Sequence, residues 1–142
     1  MSILPPAVYV KDTGTPKGRG VFASKAFGDG EVVEVCPVVL FALGAAPLPE
    51  EIKRLMFNWG YLVGRLGLHA FALGYGSLYN HNNPANMRYE ADASTQVLRF
   101  VAVRHVDADE ELTINYNAHG GGAEWNDDAW FERMNVQPVV GR

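Results

Sequence analysis

One cysteine, Cys36, stands alone in 142 residues, and its isolation removes whole classes of protein. It permits no intrachain disulfide framework and no structural zinc site that needs several thiolates, so a reducing compartment is expected. Runs of Lys and Arg are also missing, and the formal net charge is −4. That balance disfavours a duplex-binding protein, and no direct nucleic-acid binding is expected. A mild negative charge suits a basic partner without selecting one. Long apolar runs are lacking too: the most apolar stretch, 35–49, is broken by Pro37 and Pro47 and is too short to cross a bilayer. The opening "MSILPPAVYV" has no basic segment ahead of an apolar core, so it does not read as a secretory signal. The expected setting is intracellular and away from membranes: cytoplasmic in a bacterium, nuclear or cytoplasmic in a eukaryote or virus, and not secreted.

What is abundant is punctuation. Fifteen glycines and eight prolines lie between short apolar runs, which favours a mainly β fold with a few short helices in a single domain. "AVYVK" (7–11) reads as a first strand, followed by the turn-rich "DTGTPKGRG" and then Val21-Phe22-Ala23. Gly28-Asp29-Gly30 is hairpin chemistry leading into "EVVEVCPVVLF", where Glu31, Val33 and Val35 alternate with Val32 and Glu34 and neither face is cleanly apolar. Pro49-Glu50-Glu51 suits the first turn of a helix that places Ile52, Leu55 and Met56 on one face. Segments 58–63 and 68–73 read as short strands, and 95–106 as a longer one. "DADEE" is an acidic turn, and "LTINY" beyond it places Leu112, Ile114 and Tyr116 opposite Thr113 and Asn115.

Local motifs taken singly point nowhere firm. Gly18-Arg19-Gly20-Val21-Phe22-Ala23 fits a dinucleotide fingerprint, but no helix follows it, so two glycines in a tight turn are the better reading. His119-Gly120-Gly121-Gly122 resembles an oxyanion segment, yet the G-x-S-x-G elbow that such chemistry requires is missing. His69, His81, His105 and His119 lack the spacing of a metal pair, and no metal site is expected. Cys36, beside Pro37 in an apolar strand, reads as a buried structural thiol.

In order along the chain, however, "KGRGVFA", "YNHNNPAN" and "DADEELTINYN" together resemble the SET domain, the fold of protein-lysine N-methyltransferases that use S-adenosylmethionine. The family pattern is a K-G-x-G turn, then N-H-S-x-x-P-N, then an acidic turn entering E-L-x-x-x-Y. Here Asn82 replaces the usual serine, and Pro84 stands one place earlier relative to Asn86. The resemblance implies a β-clip fold of small curved sheets with a C-terminal pseudoknot, spanning 1–142. It implies that Gly18, Arg19 and Gly20 lie against the cofactor, S-adenosylmethionine. Asn80 and His81 would hold that cofactor's amino-acid end and adenine edge, and Tyr116 would face the transferring methyl. Tyr89, nine residues past Asn80, falls where some members place a channel tyrosine. For Tyr61, Tyr75, Tyr79 and Trp125, core packing is the default. The implied partner is a lysine-containing protein or peptide, a histone or another basic protein.

Two other readings accompany this one: a SET-like module that binds a peptide or the cofactor without turnover, and a β-rich interaction protein with no affinity for S-adenosylmethionine. Larger members complete the lysine channel with a cysteine-rich zinc segment, which one cysteine excludes here. The covering role then falls to the C-terminal tail, 117–142, with Trp130 and Phe131 as channel residues, or to a second subunit in a homodimer. Removal of the residues after Asn126 is expected to abolish methyl transfer while leaving a folded core; full activity in the truncated chain would reject that role for the tail.

Overall fold

The protein is described by a computed structural model covering residues 1–42, 44, 47–65 and 67–117. Two sheets share one core. In the first, β1 (Val8–Asp12) and β2 (Arg19–Ala23) form an antiparallel hairpin in which Val8 faces Ala23 and Asp12 faces Arg19. The connecting turn closes on Gly18, whose φ of 75° suits glycine and whose carbonyl accepts from the Thr13 amide and hydroxyl. Since 19–23 is a strand, the dinucleotide fingerprint lacks the helix it needs.

The second sheet runs β4 (Met56–Phe57), β5 (Leu68–Ala72), β3 (Val32–Ala42), β8 (Val97–Ala102), β7 (Met87–Asp92). The eleven-residue β3 changes neighbours along its length: Val32 to Pro37 pair with β8, and Val38 to Ala42 pair with β5. Pro37, which has no N–H to give a ladder, sits at the changeover. A register shift between Val32 and Glu34 turns both Val33 and Glu34 inward, which accounts for the broken alternation of this strand.

Among the described residues, helices are few and short. Pro49 precedes α1 (Glu50–Lys53), which ends before Met56 enters β4, so the expected apolar helical face does not develop. Segment 58–63 is a correction: it forms α2 (Trp59–Val63), not a strand. The Asn58 side chain caps the helix by accepting from the Tyr61 amide at 3.1 Å, and Gly64 terminates it in the left-handed region. None of the helices among the described residues is long and apolar enough to cross a membrane. The 95–106 stretch is strand only at β8, with Val106 returning to bridge Phe27.

The last strand among the described residues, β9 (Glu111–Ile114), lies between β2, to which it is antiparallel, and β6 (Asn80–His81), to which it is parallel. This places residues 111–114 beside the Asn80–His81 segment, as the fold implied by the resemblance requires. All four β9 residues are buried, so the expected alternation has no solvent face. Thr113 is accommodated by Asn86, whose Oδ1 accepts from the Thr113 amide and whose Nδ2 donates to the Glu111 carbonyl, both at 2.8 Å. The Asn86 amide group thus takes the place of a neighbouring strand, and Asn86 is itself only 3% exposed. Asn86→Ala leaves two buried backbone groups without these partners and is expected to cost about 2–4 kcal/mol in urea unfolding. A loss under about 0.5 kcal/mol would show that β9 does not depend on this clamp.

Candidate active site

The parallel pairing of β6 and β9 sets Asn80 opposite Thr113 and His81 opposite Ile114. The next bond, from the Asn82 amide to the Ile114 carbonyl at 3.1 Å, extends the contact toward Tyr116. His81 Nδ1 accepts from the Tyr116 amide at 3.1 Å, and the two rings lie 5.4 Å apart. An Nδ1 that accepts carries no proton, so in the neutral ring the proton is on Nε2. The His81 side chain therefore fixes the backbone of Tyr116, while its main-chain carbonyl accepts from Lys17 Nζ at 2.8 Å.

Asn80 Nδ2 donates to the Arg19 carbonyl and to Glu111 Oε2, each at 2.8 Å. With both hydrogens directed inward, Oδ1 is oriented as an acceptor away from those two partners. Gly20 lies at this crossing, where a Cβ would come 2.5 Å from Glu111 Oε2 and 3.1 Å from Asn80 Nδ2. Only glycine lets β2 approach so closely. At Gly18 a Cβ would meet nothing within 4 Å, so the turn borders open space. Arg19 is exposed and joins the cluster through its carbonyl.

The Tyr116 hydroxyl donates to the Tyr79 carbonyl at 2.6 Å. Both residues line a cavity of about 90 Å³ together with Tyr89 and Ile114, and Leu55, Met56, Phe57 and Asn58 form further wall. Phe57 meets Tyr89 edge-on at 5.0 Å between centroids. Tyr89, 8% exposed, thus belongs to the same cavity as Tyr116. Trp130, Phe131 and the 118–142 portion of the tail, with His119 and its glycines, lie outside the described residues. Elsewhere, His105 is exposed and pairs with Asp107, whereas His69 lines the cavity. Among the described residues no cluster of His, Cys, Asp and Glu suits a metal ion.

Tyr79, for which core packing is the default reading of the sequence, proves to be part of the site. Its carbonyl meets Tyr116 and its hydroxyl donates to Glu34 Oε1 at 2.6 Å. Its place immediately before Asn80-His81 was the signal for it. Glu34, an acid between valines, was visible as an oddity but not as a partner. Cys36 is fully buried, and desolvation followed by the Glu34 charge pushes its thiol pKa up, so it is unreactive as a nucleophile.

Desolvation, then the Glu111 carboxylate, hold the Tyr116 hydroxyl well above the ordinary tyrosine pKa; burial and then Glu34 do the same for Tyr79. Both hydroxyls therefore stay protonated as donors at neutral pH. Because the folded-state values are raised, this stability is fully present below about pH 10, where an unfolded tyrosine begins to ionise, and is lost as pH rises from there toward the folded values. Each of the two is expected to steepen the alkaline loss of stability by about 1.4 kcal/mol per pH unit. Urea titrations from pH 8 to 11 should show shallower slopes in Tyr79→Phe and Tyr116→Phe; unchanged slopes would contradict the raised pKa of these phenols.

A family model for the SET domain matches residues 18–117. A histone-lysine N-methyltransferase of Schizosaccharomyces pombe, specific for H3 lysine-37, is 28% identical over 123 residues, covering 87% of this chain and 76% of the relative. Among solved structures, a Plasmodium falciparum protein assigned as a histone methyltransferase superposes with a TM-score of 0.64 at 22% identity, over 81% of this chain and 96% of its own. Polycomb Repressive Complex 2 of Chaetomium thermophilum, in an autoinhibited conformation bound to S-adenosylmethionine, superposes with a TM-score of 0.61 at 18% identity, over 93% of this chain and 17% of the matched chain.

Proposed function

The chain belongs to the SET-domain family, and on that premise we propose that it is an S-adenosylmethionine-dependent methyltransferase acting on the side-chain amine of lysine in a protein substrate. The observation that carries the reading is the meeting of the Tyr116 hydroxyl with the Tyr79 carbonyl in an aromatic cavity one residue from Asn80-His81. S-Adenosylmethionine supplies, when bound, a methyl group activated by a sulfonium. The residues present suit such a molecule. Asn80 Oδ1 can accept from the ammonium of its amino-acid end, the His81 main chain can meet its adenine edge, and Gly18, just ahead of β2, borders open space beside them.

The remaining chemistry concerns the amine. Presenting lysine neutral at pH 7 costs roughly 4–5 kcal/mol against its ordinary pKa of about 10.4. Tyr79, Tyr89, Ile114 and Phe57 desolvate an ammonium in this cavity, and Lys53 and Arg54 in its wall add like charge, so the neutral amine is favoured without a dedicated base. With its proton committed to Tyr79, the Tyr116 oxygen offers lone pairs to a polarised methyl, and alignment supplies most of the rate. The S. pombe relative acts on histone H3, which makes a lysine-rich, histone-like protein the first substrate to test and a nuclear or cytoplasmic compartment the expected setting. We read 1–142 as one SET domain.

Calorimetry with S-adenosylmethionine, followed by labelled-methyl transfer to histone H3 and a panel of basic proteins, tests the proposal. Tyr116→Phe should bind the cofactor as the parent does and lose on the order of 100-fold in transfer. Equal turnover by Tyr116→Phe would overturn its role. A parent that binds without transferring to any of the panel would favour a non-catalytic module, and one that does not bind would remove the enzyme reading.

A further inference from the structure

Glu34 is the one carboxylate that β3 turns into the core, and it is 5% exposed. Oε1 accepts from the Tyr79 hydroxyl at 2.6 Å and Oε2 from the Tyr75 amide at 3.0 Å. These two donors flank the single 3-10 turn Gly76–Leu78, so one carboxylate grips both ends of the turn that delivers Tyr79 to Asn80-His81. The turn is pressed hard onto its support. A Cβ at Gly74 would lie 2.5 Å from Glu34 Oε2, and one at Gly76 would lie 2.7 Å from Ala72 Cβ and 2.9 Å from Cys36 Sγ. The Tyr79 ring also packs on Phe100 at 4.8 Å, and Phe100 on Tyr89 at 5.8 Å.

A buried acid is an expensive way to join a strand to a turn, because desolvating the charge offsets much of what its hydrogen bonds return, and an apolar side chain serves general packing better. What the carboxylate supplies that an apolar residue cannot is direction. It anchors the far end of the Tyr79 ring and with it the position of the following peptide, whose carbonyl holds the Tyr116 hydroxyl. We propose that Glu34 is a positioning residue of the methyl-transfer site, acting through the Tyr79 hydroxyl to hold the Tyr79 carbonyl where it receives the hydroxyl of Tyr116. The functional part of this inference rests on the reading that Tyr116 faces the reacting methyl; the geometric part stands without it.

The test uses the full chain with tyrosine labelled at Cζ with carbon-13, the Tyr116 resonance being assigned by its loss in Tyr116→Phe. Glu34→Gln and Tyr79→Phe should both shift or broaden that resonance and lower its alkaline titration midpoint, since a hydroxyl without a fixed acceptor loses stabilisation of its neutral form. Val97→Ala, a core truncation at the start of β8, serves as a destabilised control and should leave the resonance in place. An unmoved Tyr116 resonance in Glu34→Gln and Tyr79→Phe overturns the proposal, and so does an equal shift in Val97→Ala, which would signify general loosening. If Glu34→Gln fails to fold, Tyr79→Phe alone decides.

On histone H3 as acceptor, Tyr79→Phe should lower kcat about ten-fold with KM and cofactor affinity little changed, and lower it less than about two-fold when Tyr116 is already Phe. Losses that simply multiply overturn the relay. Undiminished kcat in Tyr116→Phe instead overturns the reading beneath it, while the resonance still decides whether Glu34 positions Tyr116.

Discussion

A strand buried on both faces has to satisfy every backbone N–H and C=O without help from water, and Glu111–Ile114 faces that demand at the centre of the site. It meets the demand from three directions: antiparallel β2 on one edge, parallel β6 on the other, and the carboxamide of Asn86 reaching across to the Glu111 carbonyl and the Thr113 amide. Because β6 consists of Asn80 and His81, the bonds that satisfy β9 also fix the groups that border Tyr116. Stability and site geometry are one set of hydrogen bonds here, and neither can be altered alone.

The asparagines in this segment do distinct work. Asn86 substitutes for a strand, and Asn80 ties the Gly18–Gly20 turn to Glu111 while presenting its oxygen. Asn82 lends its amide to the continuation of β9. Buried polar groups of this density are costly unless all are paired, and no described side-chain N or O atom buried from solvent is left without a partner. A fully paired network is rigid, which suits a reaction that depends on alignment.

Much of this was legible before any coordinates. Glycine and aspartate mark the turns into β2 and β3, and the short apolar runs mark β1 and β9, although β9 turns no alternate face to solvent. The ordered motifs pointed to Asn80, His81 and Tyr116, which the fold does bring together. What escaped had physical reasons. Segment 58–63 is too short for a helical period to outweigh its apolar character, although Asn58 and Gly64 were cap and stop in plain sight. The bulge in β3 reverses which side chains face inward, so parity could not show that Glu34 is a core residue. Tyr79 meets Glu34 across 45 positions and Tyr116 across 37, and no local pattern reports contacts at that separation. The cavity wall at Leu55–Asn58 escaped for the same reason.

The placement of β9 also carries a consequence for assembly. Its partners in β2 lie about ninety residues earlier in the chain, and its β6 partners some thirty. Pairings of such long reach incur their loop-closure entropy before any contact compensates it, and they form slowly. The hairpins β1–β2 and β7–β8 can close locally, but the site cannot exist until residues 111–116 have been synthesised and paired with both β2 and β6. A nascent chain that stops short of Tyr116 can therefore own most of a core and still lack the site altogether.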